Sequence, residues 1–448
     1  AISAAMLVGL GFNPLYAAGL CLIANTAPVA FGSVGTPIIM ASRVSDIPEM
    51  AISQMVGRTL PILSIIVPFY LVVLMSGLKR SLEVWPAIVV SGVSFAFFQW
   101  FTANYMGPML PDVMAGIMSI LCLMVFLRYW KPQSVWRFRE EPPQTIDSTL
   151  KYSGGEVIRA WSPFIIMTAF IIAWGLEPVK AALNYLAVWR FDVPGLKNAI
   201  SQPDGDVLVI KPYELNFLSA PGTAVLLAAM VSVPLIGMRY REAVKVFWST
   251  LKQLRFPIIT IASVVGFAFV ANYSGMSITM ATALAATGVM FPFFSPVLGW
   301  LGVVLTGSDT SSNALFSKLQ ATTADTLGVD PVVTVGANAS GGVTGKMISP
   351  QSIAIGAGAV GLVGKESDLF RFTLKHSFIM LAVICLLTMM QAYVMPWIIP
   401  DYDMTPIPKV VALSAVSTGF IYLGWLGLTV VIIAGVVWFM NRRGVRLT

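Results

Sequence analysis

The residues of this sequence best suited to chemistry lie at positions 306–313, which read TGSDTSSN. They place one carboxylate, that of Asp309, among hydroxyl and amide side chains. A second polar, glycine-rich stretch follows at 336–352. The N–H groups at a helix start carry partial positive charge, so together with neutral donors they can bind a small anion. A carboxylate beside such a site can bind and release a proton, and the pattern therefore indicates an anion site with a proton-exchanging group.

The composition places these polar stretches inside a membrane protein. Hydrophobic residues make up 57% of the 448 residues and charged residues only 11%, whereas soluble domains carry about 25% charged residues. Polar, glycine-broken backbone at membrane depth is tolerated only where it is buried in protein or lines a cavity. In transporters, that place is usually the substrate site.

The composition also excludes several classes of function. One histidine, His376, and three cysteines provide neither a metal-ligand cluster nor a disulfide framework, so we expect no metal and no cofactor. The net charge of +7 indicates basic cytoplasmic loops rather than nucleic-acid binding. Because His376 follows Arg371 and Lys375, we expect it at the membrane interface.

A series of apolar stretches approaches the length of about 20 residues that a membrane-crossing helix needs. They are 59–76, 84–105, 113–129, 157–175, 220–236, 256–273, 278–294, 372–398 and 412–440. Two other regions, 1–56 and 296–364, are broken by Gly, Pro, Ser and Asn into shorter runs, which is typical of re-entrant hairpins and broken helices. The chain begins inside an apolar run without a methionine, and we interpret this start as truncated.

The two broken regions match each other in the order and spacing of their features. Pro14 corresponds to Pro296, Asn25-Thr26 to Asp309-Thr310, Asp46-Ile47-Pro48 to Asp330-Pro331, and Gly57-Arg58 to Gly345-Lys346. Chance similarity between two Gly- and Pro-rich segments is the alternative. We predict an all-α, polytopic membrane protein with two repeats, each containing a re-entrant hairpin and a broken helix. The predicted parts are 1–130, an N-terminally truncated first repeat; 131–255, connecting membrane segments and loops; and 256–448, the second repeat.

Loop charges indicate the orientation of the chain. Residues 128–159 and 239–255 are rich in Lys and Arg and are predicted to face the cytoplasm, whereas 177–214 has mixed charge and is predicted to lie outside. Residues 239–255 also have the pattern of an amphipathic helix lying on the inner membrane surface.

The predicted substrate site takes neutral donors and close backbone approach from both broken regions. Its residues are Asn25, Thr26, Gly35, Thr36, Ser308, Thr310, Ser311, Asn313, Gln351 and Ser352. Asp309 is the predicted proton-coupling residue, because an ionised carboxylate repels an anionic substrate and must be protonated or paired when that substrate is bound. Arg58 and Lys346 are predicted charge partners of the substrate or of Asp309. The alternatives are that Asp309 caps a helix, that both cations snorkel to the membrane surfaces, and that the small residues pack helices.

Five strings in the sequence resemble the bacterial L-lactate permease family. They are NTAPVAFG at 25–32, GRTLP at 57–61, RAWSP at 159–163, GSDTSSNALF at 307–316 and GKMISPQS at 345–352. The resemblance spans nearly the whole chain. It implies a secondary active transporter of the bacterial inner (plasma) membrane that takes up L-lactate, and usually D-lactate and glycolate, together with protons. Members of the family are longer at the N-terminus.

The resemblance also implies how the ion is coupled. The family is grouped in an ion-transporter superfamily whose divalent-carboxylate members carry Ser-Asn-Thr motifs at two hairpin tips. The counterparts here are Ala24-Asn25-Thr26 and Ser308-Asp309-Thr310, so Ala24 and Asp309 depart from the pattern. A carboxylate in place of an amide favours proton over sodium coupling, although it can also ligate sodium.

Other functions stay open as alternatives. They are a sodium-coupled carboxylate transporter of the same fold, and a membrane channel or enzyme. An enzyme needs a nucleophile with a base, or an acid–base constellation, which one histidine and few intramembrane acids do not favour. The predicted partners are lactate and related 2-hydroxymonocarboxylates, protons and the lipid bilayer, without nucleic acid; a homodimer is left open.

Overall fold

The computed structural model shows a chain built almost entirely of α-helices. It describes residues 2–132, 154–196, 199–200, 210, 212–403 and 413–443. The first helices are α1 (Ile2–Gly9), α2 (Pro14–Ala24), α3 (Gly32–Ser45), α4 (Glu49–Ser76), α5 (Leu78–Ser81), α6 (Trp85–Tyr105), α7 (Pro111–Tyr129), α8 (Gly154–Gly175) and α9 (Glu177–Leu186). Two short strands follow, β1 (Trp189–Phe191) and β2 (Tyr213–Leu215). The remaining helices are α10 (Pro221–Leu235), α11 (Tyr240–Gln253), α12 (Arg255–Tyr273), α13 (Met276–Ala285), α14 (Phe291–Thr306), α15 (Asp309–Thr326), α16 (Pro331–Lys346), α17 (Pro350–Ala359), α18 (Glu366–Tyr393) and α19 (Leu413–Arg443).

The chain divides into two compact units, each made of two stretches of sequence. The first unit comprises Ala1–Ile146 and Ile259–Pro406, and the second comprises Asp147–Ile258 and Ile407–Thr448. The division into two repeats and a connecting part, 1–130, 131–255 and 256–448, stays a prediction. Most of the predicted basic loop at 128–159 lies outside the described residues.

The prediction of an all-α, polytopic membrane protein is confirmed. Within the described part of the chain, seven helices are long and apolar enough to cross a membrane. Two helix pairs are bent, α2 against α3 by 68° and α12 against α13 by 76°. The first bent pair lies in the region 1–56 that the sequence predicts to be broken.

One predicted span is wrong. The stretch 278–294 does not form one crossing helix; α13 ends at Ala285, a short 3-10 helix covers Gly288–Met290, and α14 begins at Phe291. Gly288 has a φ of +55°, a left-handed conformation that interrupts helical geometry and that glycine adopts readily. The apolar run is therefore shared between two helices.

Glycine-mediated contact between α14 and α16 forms the centre of the first unit. A Cβ atom on Gly341 would lie 2.6 Å from the Cα of Pro296, and one on Gly345 would lie 2.6 Å from the carbonyl oxygen of Trp300. The two backbones therefore touch, which is how helices with small residues associate in membranes. Helix α16 is buried along nearly its whole length, so its many small residues serve packing.

A left-handed stretch breaks α3 near its start. Ser33, Val34 and Gly35 have φ values of +49°, +60° and +75°. Such backbone is costly for a β-branched residue such as Val34 and persists only where the surrounding structure holds it. Gly35 is held against the chain before α7, because a Cβ there would lie 2.5 Å from the carbonyl oxygen of Pro108. The regular part of α3 therefore starts at Thr36.

The second unit packs α8, α9, α10 and α19 together. Its two strands pair antiparallel, and the Arg190 Nε donates to Glu214 Oε1 at 2.6 Å across them. The Trp174 Nε1 donates to the carbonyl oxygen of Leu218 at 2.9 Å. The predicted helix at 239–255 is present as α11, whose side chains are largely exposed.

Candidate functional site

The first unit contains a polar cavity of about 250 Å³. It is lined by residues from α3, α7, the α14–α15 hairpin and α16, and by the segment that joins α2 to α3. These residues are Asn25, Pro28, Val29, Gly32, Ser33, Pro37, Asp112, Ser308, Asp309, Thr310 and Lys346. Residues predicted from the two distant broken regions therefore meet in one place, although the role of each stays a prediction.

A tight turn points the start of α15 at this cavity. Helix α14 ends at Thr306, and Gly307 follows it with a φ of +71°, a left-handed conformation that glycine adopts readily. Ser308 then caps α15 by accepting a hydrogen bond from the Ser311 N–H at 3.3 Å. The Thr306 hydroxyl donates to the carbonyl oxygens of Gly302 and Ser308, at 2.7 and 3.1 Å. Ser308 rather than Asp309 is thus the helix cap, so capping does not account for the carboxylate.

The starts of α15 and α3 meet beside the cavity. The Thr36 and Thr310 hydroxyl oxygens lie 3.3 Å apart, at a sequence separation of 274 residues. Each helix start presents N–H groups without partners in its own helix, and each carries about half a positive elementary charge. The meeting of two such starts favours a small anion in the cavity.

Asp309 is buried at the start of α15 with one oxygen lacking a partner. Its side chain is 4% exposed, and its Oδ2 accepts a hydrogen bond from Asn313 Nδ2 at 3.4 Å. Its Oδ1 is buried, and no described residue donates a hydrogen bond to it. Gly342 of α16 lies against this oxygen, and a Cβ there would collide with it. The carboxylate therefore has a free acceptor atom in a confined, protein-lined place.

Behind the cavity wall, a series of hydrogen-bonded, buried amide side chains holds Asp309 in place. Asn313 Oδ1 accepts from Asn338 Nδ2 at 2.8 Å, and Asn338 Oδ1 accepts from Gln320 Nε2 at 2.7 Å. Gln320 in turn accepts a hydrogen bond from the Ser295 hydroxyl. Because each group has a partner, this chain fixes the position of the carboxylate. Asn313 thus lies behind the described cavity wall, and its role in substrate binding stays a prediction.

Lys346 brings a positive charge to the cavity. It is the last residue of α16, and its Nζ donates to the carbonyl oxygen of Gly307, at the C-terminal end of α14. It lies near enough to Asp309 to interact electrostatically, although the two side chains form no direct ion pair. The ammonium group is therefore held at the hairpin turn, available to an anion in the cavity.

Asp112 is a cavity residue that the sequence reasoning missed. It lies in the first turn of α7 and lines the cavity with Asp309 and Lys346. An acidic residue in the first turn of an apolar helix of a membrane protein is a candidate functional residue. That signal was available at 111–113, where the chain reads PDV at the edge of a predicted span.

Several predicted site residues do not line the cavity. The Thr26 hydroxyl donates to the carbonyl oxygen of Ile23 at 2.7 Å inside its own turn. Ser352 accepts a hydrogen bond from the Ser349 hydroxyl at 2.9 Å, and Gln351 lies against Gly307. Gly35 packs against the backbone before α7, and Ser311 is buried in the first turn of α15. These positions stabilise the turns and helices that shape the cavity.

Arg58 also lies away from the cavity. Its guanidinium donates to Asn104 Oδ1 at 2.8 Å and to the carbonyl oxygen of Ile398 at 2.6 Å. The corresponding positions Arg58 and Lys346 therefore have different surroundings, and only Lys346 is placed to pair with a bound anion. Arg58 joins α4 to α6 and to the chain after α18.

His376, which we expect at the membrane interface, is buried within the protein, and its depth in the membrane stays a prediction. The residue is 3% exposed in the middle of α18, and its Nδ1 shares a hydrogen bond with the Tyr70 hydroxyl of α4. The basic residues before it lie on other faces of the helix, because successive helix positions are about 100° apart. His376 contributes to packing between α4 and α18, away from the cavity-lining residues.

The fold and this cavity define a class of protein: a polytopic, all-α membrane protein with a polar pocket where broken helices meet. The model of the L-lactate permease family matches residues 1–395. The L-lactate permease of Bacillus subtilis (strain 168) is 52% identical over 425 residues, which cover 89% of this chain and 75% of that protein. The chain belongs to the L-lactate permease family, and it is a multi-pass protein of the bacterial inner membrane rather than an enzyme.

Other relatives extend this finding. The L-lactate permease of Escherichia coli (strain K12) is 51% identical over 412 residues, covering 89% of this chain and 75% of that protein. The glycolate permease GlcA of Escherichia coli (strain K12) is 50% identical over 414 residues, covering 88% of this chain and 74% of that protein. Among solved structures, the YdaH transporter of Alcanivorax borkumensis shares 14% identity, with a TM-score of 0.36 and coverage of 88% of each chain.

Proposed function

We propose that the protein takes up L-lactate, D-lactate and glycolate by proton symport, with the substrate bound in the cavity of the first unit. Family membership supports transport of this substrate class, since the similar proteins include L-lactate permeases and a glycolate permease. The observation that carries the proposal is the meeting of two helix starts, one ammonium group and an unpartnered buried carboxylate around one small cavity.

The substrate carboxylate binds to the positive groups of the cavity. The starts of α3 and α15 supply N–H groups, and Lys346 supplies an ammonium group. The cavity volume of about 250 Å³ is below the range of about 300–1,000 Å³ that is typical of sites for drug-sized ligands. The cavity therefore suits a molecule of two or three carbon atoms.

Neutral side chains recognise the hydroxyl on carbon 2 of the substrate by hydrogen bonding. Asn25, Ser308 and Thr310 line the cavity and can each donate and accept a hydrogen bond. A site built to bond a hydroxyl rejects an analogue without it more strongly than one that differs by a methyl group. Glycolate should therefore compete with lactate, and propionate should compete poorly.

Asp309 couples the substrate to a proton. In a buried site, an ionised carboxylate and an anionic substrate repel each other strongly, because water does not screen them. Substrate and proton therefore bind together, and by linkage each increases the affinity for the other. The unpartnered Oδ1 of Asp309 is the atom available to hold the proton.

The test is uptake of labelled lactate by the purified protein in liposomes. An inside-alkaline pH gradient should drive accumulation equally with and without sodium, with competition by glycolate and little by propionate. Accumulation that follows a sodium gradient and ignores the pH gradient would refute proton symport. Competition by propionate as strong as that by glycolate would show that the cavity does not recognise the substrate hydroxyl.

A further inference from the structure

Asp112 gives the cavity a second carboxylate, which the proposed cycle leaves without a role. It reaches the cavity from α7, an element that supplies no other lining residue. Its Oδ1 is buried, and none of the residues that the structure describes donates a hydrogen bond to it. Asp112 as a whole is partly exposed and lines the cavity, and a carboxyl group that lines a ligand-sized cavity without a hydrogen-bond partner points to a partner that arrives with the ligand.

The charges that line the cavity set how many protons it must hold. Among the described residues that line the cavity, Asp112 and Asp309 are acidic and Lys346 is basic. Uncompensated charge is strongly disfavoured away from water. The empty cavity is neutral when Lys346 faces one ionised carboxylate, so the other carboxyl group carries a proton. A bound monoanion replaces that ionised carboxylate as the partner of Lys346, and both carboxyl groups then carry protons.

The surroundings of the two carboxyl groups decide which one keeps its proton. Asp309 accepts a hydrogen bond from Asn313 and interacts electrostatically with Lys346, and both contacts stabilise its ionised form. In the described part of the chain, Asp112 forms no ion pair and accepts no hydrogen bond. Both carboxyl groups lie in the first turn of a helix, whose start favours an ionised carboxylate. The contacts with Asn313 and Lys346 are therefore what distinguish them, and they make Asp309 the group that ionises during the cycle.

We propose that Asp112 is a resident carboxylic acid that keeps its proton throughout the cycle and donates a hydrogen bond to the substrate carboxylate. This inference rests on the proposed function, in which Asp309 exchanges the coupling proton. A carboxylic acid held neutral in an apolar site so that it can donate a hydrogen bond is an established device in enzyme sites. One proton then crosses with each substrate, although the cavity holds two acids.

The test compares Asp112→Asn with Asp112→Val in liposomes, using lactate exchange at equal pH on both sides. Asparagine still offers an N–H donor, whereas valine offers none. The half-saturation concentration for lactate should rise about tenfold or more in Asp112→Val, the loss expected for a hydrogen bond to a charged group, and by a smaller factor in Asp112→Asn. The number of protons taken up per lactate should stay the same in Asp112→Asn.

Three results would overturn the inference. The first is an Asp112→Asn protein that exchanges lactate but no longer accumulates it under a pH gradient, since Asp112 would then exchange the coupling proton. The second is an Asp112→Val protein that binds lactate as tightly as the wild type. The third is an infrared result: the inference expects a protonated-carboxyl band that shifts when lactate is added in the Asp309→Asn protein and no such band in the Asp112→Asn/Asp309→Asn protein, so absence of the band from the first or its presence in the second would overturn it.

The proposed function can fail separately. Wild-type protein that ignores a pH gradient would refute proton symport, whereas the comparison of the two Asp112 variants uses exchange without a gradient. The infrared measurement does not require transport, so it decides the inference even if Asp112→Val does not fold.

Discussion

Substitution of Lys346 tests whether the ammonium group at the hairpin turn binds the substrate. In Lys346→Gln the cavity loses its basic lining residue, while Asp309 and the two helix starts remain. A hydrogen bond to a charged group contributes about 1.5–3 kcal/mol, and each 1.4 kcal/mol is a factor of ten. The half-saturation concentration for lactate should therefore rise about 10- to 150-fold.

The assay is lactate exchange in liposomes, with thermal unfolding measured in parallel. Loss of the contact between Lys346 and the Gly307 carbonyl should lower stability by about 1.5–3 kcal/mol, as expected for a hydrogen bond from a charged group. Lys346→Arg, which keeps the charge, should bind lactate better than Lys346→Gln. The matched control is Lys79→Gln on α5, because Lys79 is exposed and away from the cavity. A Lys346→Gln protein with a half-saturation concentration near that of the wild type would refute a direct role of the ammonium group.

Three further substitutions separate binding from packing. Thr310→Val removes a hydroxyl that lines the cavity and should weaken lactate exchange about 2- to 13-fold, from a hydrogen bond of about 0.5–1.5 kcal/mol, without changing inhibition by propionate. Gly342→Ala places a methyl group against Asp309 and should reduce pH-driven accumulation, whereas Gly358→Ala, with no atom within 4 Å of the new Cβ, should not. Arg58→Gln should lower stability by about 1.5–3 kcal/mol in thermal unfolding and leave the affinity for lactate unchanged, because Arg58 contacts structural groups only.

The convergence of the polar stretches could be predicted from sequence because the chain lies in lipid rather than in water. In an apolar chain, hydroxyl, amide and charged residues must be buried in protein or line a cavity. Asn25, Ser308, Asp309, Thr310 and Lys346 do line one cavity, as the pattern of breaks predicts. The family, the all-α class and the membrane location are also confirmed. Composition and long motifs indicate these three properties directly.

The direction of single side chains could not be predicted in this way. Neighbouring helix positions point about 100° apart, so Asn313 lies behind Asp309 rather than in the cavity, and Ser352 bonds to its own turn. Asp112 was not predicted as a site residue, because it lies beside Pro111 at the start of an ordinary apolar span. The position of Arg58 depends on Ile398, which is 340 residues away in the sequence. Each of these outcomes is decided by tertiary contacts that spacing alone does not report.

The most direct test of the account is the behaviour of Asp309→Asn in liposomes, measured as accumulation under a pH gradient and as exchange without one. Asparagine keeps the size and hydrogen-bonding capacity of the side chain but cannot exchange a proton. The matched control is Asp330→Asn, since Asp330 caps α16 by accepting from the Val332 N–H at 3.0 Å and asparagine caps about as well. The account predicts that Asp309→Asn still exchanges lactate but no longer accumulates it, while Asp330→Asn does both. Normal accumulation by Asp309→Asn would contradict the central claim that Asp309 carries the coupling proton.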